Sequence, residues 1–185
     1  MGKLHPLPIP VHPLDSIGMD IMGPFPNVGE YNYLWVVICR MTSMVHLIPV
    51  STSTTASKLS STYISEVVRL HGLPLSIVSD QDPKFMSKWW CEIQRLMGMK
   101  SLLSMAFHLQ THGIIEQVNH SIGQILREMI CPDPKDWVGK LPLVEFVINS
   151  SITSATGMAP FKINYRYMPV IMKELKESEC TPLVM

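Results

Sequence analysis

The chain has 185 residues, enough for one domain with a substantial core, and 46% of them are hydrophobic against 16% charged, which excludes an intrinsically disordered chain. Fifteen Lys and Arg balance fifteen Asp and Glu, so no whole-molecule field draws the protein to nucleic acid, and DNA binding by this segment alone is expected to be weak. No window reaches the roughly twenty apolar residues of a membrane-spanning helix, and Cys39, Cys91, Cys131 and Cys180 lack the C-x-x-C spacing of a zinc module, a pattern that predicts a soluble intracellular protein with free thiols.

Residues 1–14 carry four prolines and read as an extended lead-in, with the folded domain expected over 15–169 and a tail over 170–185. In DSIGMDIM, Ile17, Met19 and Ile21 alternate with Ser16, Gly18, Asp20 and Met22, the period of a strand, so Asp20 faces away from the Ile17 row. The turn-rich GPFPNVGEYN leads into YLWVVIC, a continuous apolar run expected of a strand covered on both faces, and VHLIPV follows after a short turn. Three strands with such tight connections predict an antiparallel meander.

Ala56, Leu59, Tyr63, Val67 and Leu70 recur at three- and four-residue spacing and predict a helix ending near Gly72. LSIVS is a short strand ending at Asp80, Phe85, Trp89, Ile93 and Leu96 mark a second helix stopped by Gly98, and LLSMA reads as a fifth strand. Two further helical stripes run through Ile115, Val118, Ile122, Ile125 and Met129, and through Trp137, Leu141, Val144 and Ile148. The order predicts an α/β fold, a five-stranded mixed sheet with helices on both faces.

Three carboxylates occupy positions suited to chemistry. Asp20 interrupts an apolar strand, where a buried carboxylate without a partner costs several kcal/mol, so it requires a partner or water, and a solvated strand face is the ordinary alternative. Asp80 closes a strand at the carboxyl edge where α/β sheets collect functional groups, whereas Asp82, just before Pro83, reads as a helix N-cap. Glu116 opens the third helix, and Asn119, His120 and Gly123 at i+3, i+4 and i+7 give that helix a polar flank fit to face a substrate. His108, His112 and His120 are expected to be solvated and not a metal cluster. An acid on a strand, one at a strand end and one on a helix together offer the oxygen ligands that Mg²⁺ prefers, and paired ions can activate an attacking oxygen and stabilise a leaving one.

With DSIGMDIMGPFP, VVICRMTSMVHLIP, RLHGLPLSIVSDQDPKF, FHLQTHGIIEQVN, DWVGKLPLVEFVINSS and GMAPFKINY in this order, residues 8–169 resemble the integrase catalytic core of gypsy-class LTR retrotransposons. Thirty-five residues separate Asp80 from Glu116, the spacing of the second Asp and the Glu in that family. The resemblance implies an RNase H-like fold of the DDE type, with Asp20, Asp80 and Glu116 as catalytic residues and ligands of two Mg²⁺ or Mn²⁺ ions. It also implies 3′-end processing and strand transfer of element DNA into target DNA, action in the nucleus, and a homodimer or higher multimer. Gln117, Asn119 and His120 become the expected nucleic-acid contacts.

The pattern departs from the family at Leu109, His112, Ile115 and Gln117, which stand for Pro, Asp, Thr and Arg, and Gln81 follows Asp80 where Arg is usual. Gln117 removes a permanent cation beside the helix that carries Glu116. A core that keeps the fold as a nucleic-acid-binding or assembly module without turnover is the alternative reading, and an RNase H-like nuclease without integration is a third.

Overall fold

The computed structural model describes residues 10–79, 83–98, 106–108, 113–130 and 133–169. Strands β1 (Ser16–Met22), β2 (Tyr33–Cys39) and β3 (Val45–Val50) pair antiparallel in succession, the meander that their short connections require. β4 (Ser76–Ser79) then lies parallel to β1 on its free side, with Met19 opposite Ser79, and β5 (Ala106–His108) lies parallel to β4. The order β3-β2-β1-β4-β5 makes β1, the strand that carries Asp20, the centre of a mixed sheet. Four strands form the body of this sheet and β5 adds a three-residue edge. Of the expected strand LLSMA only Ala106 is described, at the start of β5, whose register sets Ala106 against Ser76 and His108 against Val78; residues 102–105 lie outside the described residues.

The alternation of β1 sends its two faces into two separate cores. Ile17 and Met19 join Trp35, Val37, Tyr63, Trp89 and Ile93 on one side. On the other, Gly18, Asp20 and Met22 lie across from Ile38, Val36 and Leu34, which pack with Ile115, Ile122, Leu126, Trp137, Leu141 and Val144. β2 contributes to both, which is why YLWVVIC is apolar without interruption.

The crossover from β3 to β4 runs over the first face through α1 (Ala56–Tyr63), a π-turn over Ile64–Val68 and α2 (Arg69–His71). Thr55 caps α1, its Oγ1 accepting from the Lys58 amide at 3.3 Å. Leu59, Tyr63 and Val67 are buried as the stripe predicts, but Leu70 is 50% exposed. The π-turn accounts for the difference: its wider turn takes up an extra residue, so the inward position after Val67 falls on His71 and not on Leu70.

α3 (Pro83–Leu96) packs on the same face through Trp89, Trp90 and Ile93. Leu96, expected on that stripe, is 41% exposed at the last residue of the helix, beyond the cluster that the two tryptophans join. α4 (Gly113–Met129) and α5 (Trp137–Ser150) cover the second face, and the four stripe residues of α5 are all buried. A short α6 (Pro160–Tyr165), unread in the sequence, packs Phe161 against Phe146 of α5 at a ring-centroid separation of 5.6 Å.

Leu14, placed in the lead-in by composition, is buried in the first core, where its backbone N–H meets Cys39 Sγ at 3.2 Å. Residues 1–9 and 170–185, with Cys131, Cys180 and the tail, lie outside the described residues. Cys39 is a buried free thiol and Cys91 an exposed one. Among the described residues no helix is long and apolar enough to cross a membrane.

The outer edge of β3 is covered by side chains of α5. Asn149 Oδ1 accepts from the Val45 amide at 2.8 Å and its Nδ2 donates to the Val45 carbonyl at 2.9 Å. Glu145, one turn earlier on the same face of α5, accepts from the Leu47 amide at 2.8 Å. An edge that would otherwise present free N–H and C=O groups is thereby satisfied without another strand.

Candidate active site

The seat of Ile115, in the first turn of α4, is made by a glycine. A Cβ built on Gly18 would stand 2.6 Å from Ile115 Cδ1 and 2.9 Å from Cγ1, so the bare glycine makes room for the isoleucine side chain against β1. From that contact helix and strand run in step. Asn119, four residues beyond Ile115, meets Asp20, two residues beyond Gly18, and Gly123 lies beside Met22, its built Cβ 4.0 Å from the methionine methyl. Four residues of helix advance about 6 Å and two of strand about 6.6 Å, so the contacts repeat without loss of register.

Asp20 is half-buried at the point where this ladder reaches its polar rung. Its Oδ1 accepts from the Ile21 amide at 2.7 Å, and its Oδ2 accepts from the side-chain amide of Asn119. The Oδ1 of Asn119 is itself buried and has no hydrogen-bond partner among the described residues. A buried acceptor beside a carboxylate is a costly arrangement in an empty pocket and a favourable one beside a cation or its water.

Glu116 precedes Asn119 by three residues in the first turn of α4, so both lie on the same flank of the helix, and the Glu116 side chain is exposed. The structure therefore brings the flank of Glu116 to the strand of Asp20. Asp80, the third expected acid, and Asp82 lie outside the described residues; Ser79, the residue before Asp80, is paired with Met19, the residue before Asp20. Among the described residues no group of three His, Cys, Asp or Glu side chains is set to hold an ion. Oxygen atoms of Asp20 and Asn119 meet at this point, the donor type that fits a hard divalent ion.

The three expected nucleic-acid contacts separate. Asn119 turns inward to Asp20, whereas His120 is exposed on the flank. Gln117 is also exposed, and its Nε2 donates to Ser154 Oγ at 3.4 Å, tying the helix to the loop after α5. The departure at Ile115 acquires a physical meaning here: a hydroxyl residue is usual in the family, but the isoleucine is buried in the second core and seated on Gly18. His108 is described in its backbone alone, and Leu109 and His112 lie outside the described residues. Arg127, which the sequence reading passed over, extends the stripe of Glu116, His120 and Gly123 by one more turn, with its guanidinium 3.9 Å from the built Cβ of Gly123. The i+11 spacing from Glu116 is the signal that identifies it.

Comparison with known proteins agrees with the family resemblance. The Tf2-3 and Tf2-4 transposon polyproteins of Schizosaccharomyces pombe are each 32% identical over 170 residues, 92% of this chain. The chain spans 13% of the length of those polyproteins. Among solved structures, the HTLV-2 integrase catalytic core domain in complex with magnesium, in its trimeric form, has a TM-score of 0.61 at 19% identity, covering 83% of this chain and 98% of that one. The simian T-cell lymphotropic virus intasome in complex with PP2A regulatory subunit B56 gamma has a TM-score of 0.63 at 17% identity, covering 96% of this chain and 63% of the matched chain. No family model matches. The chain is thus homologous to a segment of retrotransposon polyproteins and has the fold of integrase catalytic cores.

Proposed function

We propose that this chain is a retroelement integrase core that processes DNA 3′ ends and transfers them into target DNA, with Asp20, Asp80 and Glu116 as the ligands of two Mg²⁺ or Mn²⁺ ions. The carrying observation is the meeting of Asn119 with Asp20, because it joins the flank of Glu116 to the central strand. The buried Asn119 Oδ1, without a hydrogen-bond partner among the described residues, supports a bound ion or its water, and the magnesium-bound integrase core of the same fold supports the choice of ion. When bound, the ions supply activation of the attacking oxygen and stabilisation of the leaving one.

The chain's own residues hold and orient. Asn119 fixes the rotation of the Asp20 carboxylate by occupying Oδ2 while the Ile21 amide occupies Oδ1. His120 and Arg127, exposed on the flank beyond Glu116, face the path of a DNA strand, and Arg127 provides the charge that binds phosphate. Since the chain has no net charge, affinity for DNA comes from few contacts and is expected to be weak, with a shallow salt dependence because few phosphates are neutralised. Element ends and target DNA are the proposed partners, with assembly into a dimer or higher multimer and action in the nucleus.

Strand transfer with labelled element-end DNA in Mg²⁺ or Mn²⁺ tests this reading. Activity is expected in the wild type and lost in Glu116→Gln. Equal activity in the two proteins would refute the assignment of Glu116.

A further inference from the structure

A second group of ligating side chains lies at the β3 edge of the sheet, away from the acids. His46 of β3 is buried, and its Nε2 lies 2.9 Å from the Nε2 of His71, the last residue of α2. The Nδ1 of His46 lies 3.2 Å from Glu145 Oε1, while the other oxygen of Glu145 is held by the Leu47 amide. Three elements from both faces of the sheet, β3, α2 and α5, therefore converge on one imidazole. Neither the acidic pocket nor the core explains the arrangement.

Its chemistry is that of a nitrogen site. Glu145 accepts the Nδ1 proton of His46, which leaves the Nε2 lone pair of His46 directed at His71. A carboxylate on the far nitrogen is the arrangement that fixes the tautomer and raises the basicity of a metal-binding imidazole. His71 is half-buried, and burial, reinforced by His46 and opposed by Glu145, holds it at about 4, so it is neutral at physiological pH. The π-turn is what aims His71 at β3, and such turns recur at functional positions.

We propose that His46 and His71 form a site for a zinc-class transition-metal ion, bound through their two Nε2 atoms with water completing its shell, that clips α2 to the edge strand β3. Zn–N bonds of about 2.0–2.1 Å at a tetrahedral angle set two nitrogens about 3.3 Å apart, so the present 2.9 Å opens by about 0.4 Å, with the proton of His71 on Nδ1. Glu145 orients His46 and does not bind the ion, and the exposed side of His71 admits water. Imidazole nitrogen selects Zn²⁺, Ni²⁺, Co²⁺ or Cu²⁺, whereas the oxygen pocket at Asp20 selects Mg²⁺ or Mn²⁺, so the two sites load independently.

The test is titration of the whole chain with Zn²⁺ in excess Mg²⁺, followed by imidazole ¹⁵N resonances and by thermal midpoint. The expected result is a shift of the Nε2 signals of His46 and His71 and a rise in midpoint, both unaffected by Mg²⁺. His71→Ala and His71→Gln are expected to bind Zn²⁺ roughly tenfold more weakly or worse, with unchanged near-ultraviolet circular dichroism before metal is added. Glutamine keeps a donor to His46 and serves if alanine disturbs the fold. Shifts confined to exposed histidines such as His12 and His120, displacement of Zn²⁺ by Mg²⁺, or a folded His71 variant that titrates like the wild type would each overturn the proposal. Because Glu116 takes no part, loss of strand transfer in Glu116→Gln leaves this result unchanged.

Discussion

Asn119 donates its side-chain amide to Asp20 Oδ2, although the two lie ninety-nine positions apart in sequence. The bond fastens the helix of one expected metal ligand to the strand of another. Asn119→Ala removes one of the contacts that orient the Asp20 carboxylate and is expected to lower strand transfer about 10- to 100-fold, the range typical for loss of a group that orients a metal ligand. Raised Mn²⁺ demand at an unchanged urea midpoint is the accompanying signature. A midpoint that falls in proportion to activity would assign Asn119 to stability alone.

Gly18→Ala inserts a methyl 2.6 Å from Ile115 Cδ1 and forces the Ile115 side chain to shift. Overpacking of this kind costs about 1–3 kcal/mol, and any movement of α4 that accompanies it draws Asn119 from Asp20. Urea unfolding and strand transfer are both expected to suffer. Adding Ile115→Val removes the nearer of the two clashing carbons, Cδ1, keeps Cγ1 at 2.9 Å, and is expected to restore part of the stability; no recovery in the double variant would count against the glycine contact.

Asn149→Ala removes both partners of Val45 at the edge of β3. Two buried backbone groups then lack hydrogen bonds, at about 1–3 kcal/mol each. A loss of about 2–4 kcal/mol is expected by chemical denaturation, with amide exchange at Val45 accelerated more than at Val36. Uniform acceleration across the sheet would mean that the edge bonds are not local.

The imidazole of His71 makes stability depend on pH. Its folded-state value, pushed down to about 4 by burial and by His46, is below the unfolded value of about 6.5. The unfolded chain therefore takes up this proton first on acidification: stability is full above about pH 6.5 and declines as pH falls towards 4. Solvent screening of this half-exposed group reduces the effect to about 1 kcal/mol. Urea midpoints at pH 7.5 and 5, in metal-free buffer, are expected to differ more in the wild type than in His71→Gln, and equal differences would exclude His71 as the source.

Much of this architecture is legible because apolar periodicity reports burial directly. The continuous run of β2 and the stripe of α5 are both read from residue spacing, and both are buried accordingly. Leu70 misleads because a π-turn changes the period inside a helix, which no count at fixed spacing anticipates. Asn119 is legible as part of a polar flank, but its inward turn depends on Gly18 and Ile115, a contact between distant segments. The pairing of His46 with His71 is invisible for the same reason: the same π-turn decides which residue faces β3.

A sheet whose β3 margin is already occupied by Glu145 and Asn149 offers no template there for an incoming chain. Self-association along this margin must then proceed through packed side chains, which tolerate repeated assembly and release, instead of through continuous intermolecular ribbons. The same occupation guards a methionine-rich polypeptide of zero net charge against the irreversible stacking that an unguarded margin invites.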